Sequence, residues 1–308
     1  MSTRPGSGVA TLRAELVASR AVGAYQQLTL VAPEVAELAR PGQFVALTVG
    51  GPTSAALLRR CFSIHRVTPG GAFGGTVEIV VANAGPGSEW LTQVPVQGQV
   101  ELIGPLGKPF PLPTEPVGCV LVGGGYGSAP LFWLAERLRG RGCRVEIVLG
   151  AATRDRLFGV DLLGVDLLGV VEGDRVAHGI TVTTDDGSAG LRGWVSDVLP
   201  EVMARTDASV VYACGPMAML RSVSDLAGAH GAVAQVAVEE AMACGIGVCM
   251  TCVMPVRSGD GTTRMVRSCV EGPTFRGDRV RWDAFVDGHA VVPDDAVGAP
   301  AAAAGGGH

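Results

Sequence analysis

Four cysteines near the C-terminus have the residue type and the spacing that could hold a metal centre. Cys244, Cys249 and Cys252 fall within nine residues, and Cys269 follows, which gives the pattern C-x4-C-x2-C-x16-C. Proteins hold a [2Fe–2S] cluster on four thiolates at this type of spacing. The pattern therefore predicts a [2Fe–2S] cluster bound by these four side chains.

Two other uses of these thiols remain open, namely a zinc site and ordinary buried thiols. Zinc sites commonly use two C-x2-C pairs, and this chain has one, formed by Cys249 and Cys252. Gly245 and Gly247 favour a cluster loop, because glycine permits the unusual dihedrals that turn several sulfurs inward. The remaining cysteines are dispersed through predicted strands at Cys61, Cys119, Cys143 and Cys214.

A glycine-rich turn, VLVGGGYGSAPL, stands between a predicted buried strand and a predicted helix. It contains Gly123, Gly124, Gly125 and Gly127. Bare backbone N–H groups and a helix start at such a turn suit a diphosphate, so the turn predicts a bound dinucleotide. The sixth position of a G-x-G-x-x-G reading is Ser128, and no acidic residue closes the second strand. The choice between NAD and NADP, and a tight turn without a ligand, therefore stay open.

Two further segments, RRCFSIHRV and NAGPGSEWL, suit a second phosphate-bearing ligand. Arg60 and Ser63 are predicted to offer a charge and a hydroxyl on one face of a strand. Downstream, Gly87 and Ser88 open a short predicted helix, which is another position suited to phosphate. Each segment alone is a weak signal, since an arginine on a strand is usually solvated.

Three kinds of structure are predicted to position these residues. Residues 11–112 contain short β-rich runs broken by Gly and Pro, which predict a small antiparallel barrel. Residues 113–238 alternate between strand and helix, which predicts a parallel-sheet nucleotide-binding domain. Residues 239–287 form a small cysteine module, and the low-complexity residues 288–308 are predicted to be a disordered tail.

Composition excludes several functional classes. Apolar residues make up 47% and charged residues 17% of the chain, as in a globular protein. A net charge of −5 without a Lys/Arg block argues against binding to nucleic acid. The uncharged segment 116–135 contains GGGYGSAP and is predicted to be strand, turn and helix, not a membrane span. The N-terminus lacks an apolar signal core, so a cytoplasmic protein with reduced thiols is predicted.

The duplication GVDLLGVDLLGV, residues 159–170, is predicted to be a surface loop or helix extension.

The motifs together resemble those of the ferredoxin–NADP reductase superfamily. The segment RCFS resembles the strand that binds flavin in that superfamily, and GPGS resembles its phosphate-binding turn. The segment YACGPMAML resembles its C-G-P motif. Within the superfamily, the cysteine motif and IGPLGKPF are similar to the electron-transfer subunits of dihydroorotate dehydrogenase, which are iron–sulfur flavoproteins. The resemblance extends from about residue 11 to 283. The chain departs from it at Cys61, where the family usually has proline, and in GPLGKPF, where G-P-L-G-N-G-F is more common.

The resemblance implies three cofactors: FAD on the barrel, NAD on the parallel-sheet domain and a [2Fe–2S] cluster in the cysteine module. A flavin stands between the other two because it exchanges both hydride and single electrons. The residues implied to contact FAD are Arg60, Cys61, Phe62, Ser63, Val80, Val81, Ala82, Gly87 and Ser88. The residues implied to contact NAD are Gly123, Gly124, Gly125, Gly127, Cys214, Gly215 and Pro216.

The implied function is electron transfer between NAD and the FMN of a separate catalytic subunit, which oxidises dihydroorotate to orotate in pyrimidine biosynthesis. Two copies of each subunit are expected. The chain itself shows no local motif for a substrate-binding catalytic set, because its five histidines are scattered. Two alternatives remain open. One is a diaphorase subunit of an NADH-dependent ferredoxin–NADP reductase or a hydrogenase, and the other is a non-catalytic flavin and iron–sulfur redox sensor.

Overall fold

The computed structural model describes residues 8–51, 54–159 and 176–297. Gly159 is described, but the rest of the duplicated segment 159–170 lies outside these residues. The strands are β1 (Ala10–Val22), β2 (Tyr25–Val31), β3 (Phe44–Leu47), β4 (Arg60–Pro69), β5 (Gly75–Ala82), β6 (Gln99–Leu106), β7 (Gly118–Gly124), β8 (Arg144–Ala151), β9 (Gly179–Thr184), β10 (Leu191–Arg192), β11 (Ala208–Cys214), β12 (Val233–Ala237), β13 (Val253–Arg257), β14 (Thr263–Arg267), β15 (Thr274–Arg276), β16 (Phe285–Val286) and β17 (His289–Ala290). The α-helices are α1 (Pro33–Leu38), α2 (Pro86–Thr92), α3 (Ala129–Arg139), α4 (Val195–Thr206), α5 (Met217–Ala229) and α6 (Ser268–Glu271).

The first six strands close into an antiparallel barrel in the order β1-β2-β5-β4-β3-β6. Strand side chains alternate between the two faces, and one face of each strand fills the barrel interior. Leu28 and Leu30 of β2, Ile64 of β4 and Ile79 of β5 are buried together there. The predicted antiparallel barrel is confirmed, with α1 as a short helix that the sequence analysis did not predict.

The second region is a seven-stranded sheet in the order β10-β9-β8-β7-β11-β12-β15. All of its strand pairs are parallel except β12–β15, which is antiparallel. The uncharged segment 116–135 forms β7, a 3-10 turn over Gly125–Ser128 and the start of α3, as predicted. No helix among the residues described has the length and hydrophobicity needed to cross a membrane.

The barrel packs directly against helix α3 of the second region. The His65 ring, which is 1% exposed, donates from Nδ1 to the Ala129 carbonyl oxygen at 2.6 Å. Burial lowers the pKa of His65, so the neutral ring is the form that makes this bond. Arg66 adds an ion pair to Glu136 at 2.6 Å. These contacts hold the barrel at the sheet edge where ligands of open α/β sheets bind.

The C-terminal module contains the β13–β14 hairpin and α6, and it supplies β15 to the larger sheet. The prediction that a disordered tail begins at residue 288 is wrong. Residues 288–297 continue the fold, because β17 pairs with β16, and Arg281 forms an ion pair with Asp295 at 2.7 Å. Ala296 is 6% exposed, so burial of this short stretch contributes to its order.

Candidate functional site

The four predicted cluster ligands lie on two segments held together by backbone contacts. Cys244, Cys249 and Cys252 occupy the irregular loop between β12 and β13, and Cys269 is in α6. The Ser268 N–H donates to the Cys252 carbonyl oxygen at 2.9 Å. The loop folds tightly because Gly245 and Gly247 have φ angles of +70° and +83°. Arg267 fixes the loop from the other side, since its Nη1 donates to the Gly247 carbonyl oxygen at 2.8 Å.

The thiols are arranged as two pairs. Cys249 lies within hydrogen-bonding reach of Cys244, and Cys269 lies within hydrogen-bonding reach of Cys252. In the residues described, no three His, Cys, Asp or Glu side chains converge as a single metal ion would require. A [2Fe–2S] cluster has two irons with two protein ligands each, so two pairs of thiols suit it.

The immediate surroundings of the thiols fit an iron–sulfur cluster. Hydrogen bonds to Thr251, and then to Cys244, lower the pKa of Cys249 to about 6, whereas burial raises that of Cys269 to about 12. The thiolate is the form that binds metal, so binding at Cys269 releases a proton. The buried Ser268 hydroxyl, 0% exposed, has no partner among the described residues. It is a hydrogen-bond donor on the residue next to Cys269, and hydrogen bonds to the sulfurs are one factor that tunes such a cluster.

The cysteine loop packs against the predicted flavin strand. Gly245 lies so close to β4 that a Cβ added to it would be 3.0 Å from Cys61 Sγ. Cys61, Cys252 and Cys269 share one small hydrophobic cluster with Phe44 and Ala46 of β3. Burial raises the pKa of Cys61 to about 12, so this thiol is protonated at neutral pH. Strand β4 is thus the part of the barrel in contact with the cysteine cage.

The two predicted flavin segments meet in space. A Cβ added to Gly87, in the first turn of α2, would lie 2.7 Å from Arg60 Nε, so the guanidinium rests on bare backbone. Arg60 Nη1 donates to the Leu58 carbonyl oxygen at 2.9 Å, which fixes the side chain. Ser88 Oγ accepts from the Gly85 N–H at 3.1 Å and stiffens the same turn. A fixed guanidinium beside backbone that carries no side chain fits a phosphate group.

The prediction that Arg60 and Ser63 share one face of the strand is wrong. Residues three apart on a regular strand point to opposite faces, and β4 pairs regularly with β3 from Arg60 to Ser63. Phe62 packs on the barrel core, whereas Cys61 packs in the small hydrophobic cluster that contains Cys252 and Cys269. Val81 is 1% exposed inside the barrel and can offer a ligand only its backbone.

Replacing Arg60 by alanine is expected to weaken FAD binding about tenfold or more, because a charge-assisted contact is lost. The measurement is the FAD fluorescence released on serial dilution of the purified protein. Arg13→Ala, which removes an exposed arginine from β1, is the matched control and is expected to retain FAD. Equal retention of FAD by both variants would contradict the role of Arg60.

The predicted dinucleotide segments meet where the strand order of the sheet reverses, between β7 and β11. A Cβ added to Gly127 would lie 2.8 Å from the Cys214 carbonyl oxygen, and one added to Gly124 would lie 2.8 Å from Pro216 Cδ. The two backbone segments are therefore in direct contact. Ligands of open α/β sheets bind in the crevice at this point, so the placement fits a dinucleotide.

A cavity of about 920 Å³ opens at the same point, between the barrel and the carboxyl ends of the sheet strands. It is lined by Ala82 of the barrel and Gly124 and Pro216 of the sheet. Sequence reasoning missed Tyr25, whose hydroxyl donates to the Arg156 carbonyl oxygen at 2.7 Å and ties the barrel to the loop after β8. It also missed Glu239, which accepts a hydrogen bond from the Tyr126 hydroxyl. Tyr25 belongs to no local motif, so sequence spacing carried no signal for it, whereas Glu239 is the first residue of the cysteine module.

Comparison with known protein families and curated sequences gives consistent matches. Residues 239–281 match the family model of the iron–sulfur cluster binding domain of dihydroorotate dehydrogenase B. The "Dihydroorotate dehydrogenase B (NAD(+)), electron transfer subunit" of Geobacillus thermodenitrificans is 37% identical over 257 residues, which cover 82% of this chain and 91% of that protein. The protein of the same description from Desulforamulus reducens is 34% identical over 253 residues, 82% of this chain and 90% of its own length.

Solved structures agree on the fold. A chain of the NADH-dependent reduced ferredoxin-NADP oxidoreductase, described for flavin-based electron bifurcation, superimposes with a TM-score of 0.71 at 28% identity, covering 88% of this chain and 90% of that one. A ferredoxin NADP+ reductase from Neisseria gonorrhoeae, with bound FAD and NADP, superimposes with a TM-score of 0.53 at 17% identity, covering 72% and 92%. The second likeness shows the fold alone.

Proposed function

This chain belongs to the family of dihydroorotate dehydrogenase B electron-transfer subunits, and from that premise we propose how its residues move electrons between NAD and a partner. It is an oxidoreductase subunit that uses FAD, a [2Fe–2S] cluster and a nicotinamide dinucleotide. Its partner is the catalytic subunit of dihydroorotate dehydrogenase, which carries out the oxidation of dihydroorotate. We assign the cofactors to residues as follows.

The observation that carries the assignment is the contact between Gly245 and Cys61. The cysteine loop lies on the flavin strand, with the added Gly245 Cβ 3.0 Å from Cys61 Sγ. Arg60 and Gly87 hold FAD by its phosphate at the same strand, and the four cysteines hold the cluster directly across this contact. When bound, FAD supplies the exchange between hydride and single electrons. Residues Cys61 and Gly245 keep the two sites adjacent and exclude water between them.

The nicotinamide dinucleotide is assigned to the cavity between barrel strands β2 and β5 and the nucleotide-binding sheet. The backbone of Gly124, Gly125 and Gly127 binds the diphosphate, and Cys214 to Pro216 close over the nicotinamide. Tyr25 fixes the barrel against this cavity through its bond to the Arg156 carbonyl oxygen. The residues that would hold the nicotinamide thus line the cavity, whereas the residues that would hold the cluster lie against β4.

We assign the partner interface to the outer surface of the cysteine loop. Ile246, Val248 and Met250 are 43%, 74% and 54% exposed, although they are apolar, and Cys249 beside them is exposed as well. Exposed apolar side chains grouped at one place favour a protein contact. Met254, on the strand that follows this loop, is 0% exposed and packs in the core instead.

We further propose an assembly with two copies of each subunit, located in the cytoplasm. A reducing compartment suits the eight free cysteines of the chain, none of which forms a disulfide among the residues described. Mass photometry of the purified complex measures the stoichiometry. A mass that corresponds to one copy of each subunit would contradict the proposed assembly.

Purification of the tagged chain at native expression is expected to recover an FMN-containing dihydroorotate dehydrogenase subunit in a stable complex. In that complex dihydroorotate is expected to reduce NAD, whereas the chain alone is not expected to oxidise dihydroorotate, because that reaction is assigned to the FMN-bearing partner subunit. The measurement is mass spectrometry of the bound proteins together with NADH formation at 340 nm. Val248→Asp is expected to weaken the complex about tenfold or more, since a charge would be buried in the interface, while Val297→Asp, at another exposed apolar position, is expected to leave it intact.

A second candidate function is a subunit of an NADH-dependent ferredoxin–NADP reductase. It is favoured by one observation, the TM-score of 0.71 against a chain of such an oxidoreductase. The higher identities to dihydroorotate dehydrogenase B subunits favour the first function. Recovery of a ferredoxin-reducing partner in the same purification, in place of a dihydroorotate dehydrogenase subunit, would establish the second.

A further inference from the structure

The flavin strand β4 carries a fifth thiol beside the cysteine cage. Cys61 is half-buried, and its Sγ lies 3.0 Å from the point that a Cβ on Gly245 would occupy, one residue after Cys244. The Cys61 side chain also packs in the same small hydrophobic cluster as Cys252 and Cys269. It therefore lies against both parts of the cage, the loop that carries Cys244 and the buried pair of ligands.

The Cys61 thiol makes no hydrogen bond within the described part of the chain. Cys119 on β7 is different, because its Sγ donates to the Val117 carbonyl oxygen at 3.8 Å. A free S–H group is a weak hydrogen-bond donor. The thiols of Cys244 and Cys252 are close enough for their charge to act on Cys61. They bind iron as thiolates, and a negatively charged sulfur is an acceptor for such a donor.

Cys61 is not needed as a ligand. The four cysteines of the cysteine module already supply the two ligands that each iron of a [2Fe–2S] cluster takes. Cys61 belongs instead to the barrel, where it pairs with Ala46 in the regular ladder between β3 and β4. The barrel thus fixes the position of this thiol independently of the cysteine loop. A donor held in this way can alter the properties of the cluster without binding its iron.

We propose that the Cys61 S–H group donates a hydrogen bond to a sulfur of the cluster or of its ligands and thereby raises the reduction potential of the [2Fe–2S] cluster. Reduction adds an electron, and a donor at the sulfurs stabilises the more negative form. Proline, which the family usually has at this position, offers no side-chain donor. The proposal rests on the proposed function, because it takes a [2Fe–2S] cluster as the group that the four cysteines hold.

The test is a redox titration of the FAD- and cluster-loaded protein, followed by electron paramagnetic resonance for the cluster and by visible absorption for the flavin. Cys61→Ala is expected to reduce the ratio of reduced to oxidised cluster at a fixed potential about threefold. This corresponds to a midpoint potential lower by about 30 mV, at 59 mV per tenfold for one electron. Iron content and the FAD midpoint potential are expected to equal those of the wild type.

Cys61→Ser separates the hydrogen-bond donor from the packing of the side chain. Serine retains a donor, so this variant is expected to recover at least half of the shift, whereas a role in packing alone would leave the two variants alike. Electron–nuclear double resonance of the reduced cluster in H₂O and in D₂O detects the proton itself. An exchangeable proton coupled to the cluster is expected in the wild type and in Cys61→Ser, and its signal is expected to be lost in Cys61→Ala.

Cys119→Ala is the matched control, because Cys119 is a buried strand thiol in the core of the nucleotide-binding sheet. Its cluster potential is expected to equal that of the wild type. An unchanged cluster potential in Cys61→Ala, or an equal shift in Cys119→Ala, would overturn the inference. Loss of iron from Cys61→Ala would also overturn it, because Cys61 would then be a ligand. Absence of a [2Fe–2S] signal from the wild type would instead count against the proposed function itself.

Discussion

Replacing Cys252 by serine is expected to abolish the cluster, with iron and acid-labile sulfide falling from about two each per chain to none. Cys252 is 2% exposed and lies against Cys269, so no other thiol can take its place without displacing the loop. The measurement is iron and sulfide content after anaerobic purification, together with the electron paramagnetic resonance spectrum of the reduced protein. Electron transfer from the partner to NAD is expected to disappear with the cluster.

The same variant separates the roles of the two redox cofactors. FAD is expected to remain, because Arg60 and Gly87 do not belong to the cysteine loop, and reduction of an artificial dye by NADH should continue from the flavin. Cys143→Ala, which removes a buried thiol from the core around β8, is the control and is expected to keep both iron and sulfide. Full iron content in Cys252→Ser, or zinc without sulfide in the wild type, would be incompatible with the cluster assignment.

Replacing Gly127 by alanine is expected to reduce kcat/KM for NADH about 100-fold, because the added methyl group would displace the diphosphate turn. Its Cβ would lie 2.8 Å from both the Cys214 carbonyl oxygen and Gly215 Cα, and neither backbone atom can rotate away. In the variant, the glycine-rich turn and the C-G-P segment must therefore move apart. Steady-state reduction of a dye by NADH measures the effect, and the FAD and iron content report whether the chain is still folded.

Gly228→Ala provides the comparison for this substitution. Gly228 lies in α5, and a Cβ added there meets nothing within 4 Å. Alanine stabilises an exposed helix position relative to glycine by about 1 kcal/mol, so this variant is expected to keep the wild-type kinetics and to gain a little stability. Kinetics of Gly127→Ala within threefold of the Gly228→Ala values would show that the turn does not bind the dinucleotide.

Much of this protein could be predicted from the sequence, because the features concerned are local. The alternation of strand and helix specified the parallel sheet, and short β-rich runs specified the barrel. Three of the cysteines belong to one loop, so their spacing reflects the geometry of the group they hold. The tail prediction failed at 288–297 because order there comes from Arg281 and Asp295, an ion pair between residues that composition does not connect.

Only the tertiary structure decided how these parts face one another. Nothing in the sequence spacing of these residues places Cys61 against Gly245, or Arg60 against Gly87. The sequence assigned Thr274–Arg276 to the cysteine module, yet the strand pairs with β12 and joins the nucleotide-binding sheet. A cofactor constrains the residues of a single loop through its own size, whereas the distance between two cofactor sites depends on packing between segments far apart in the chain.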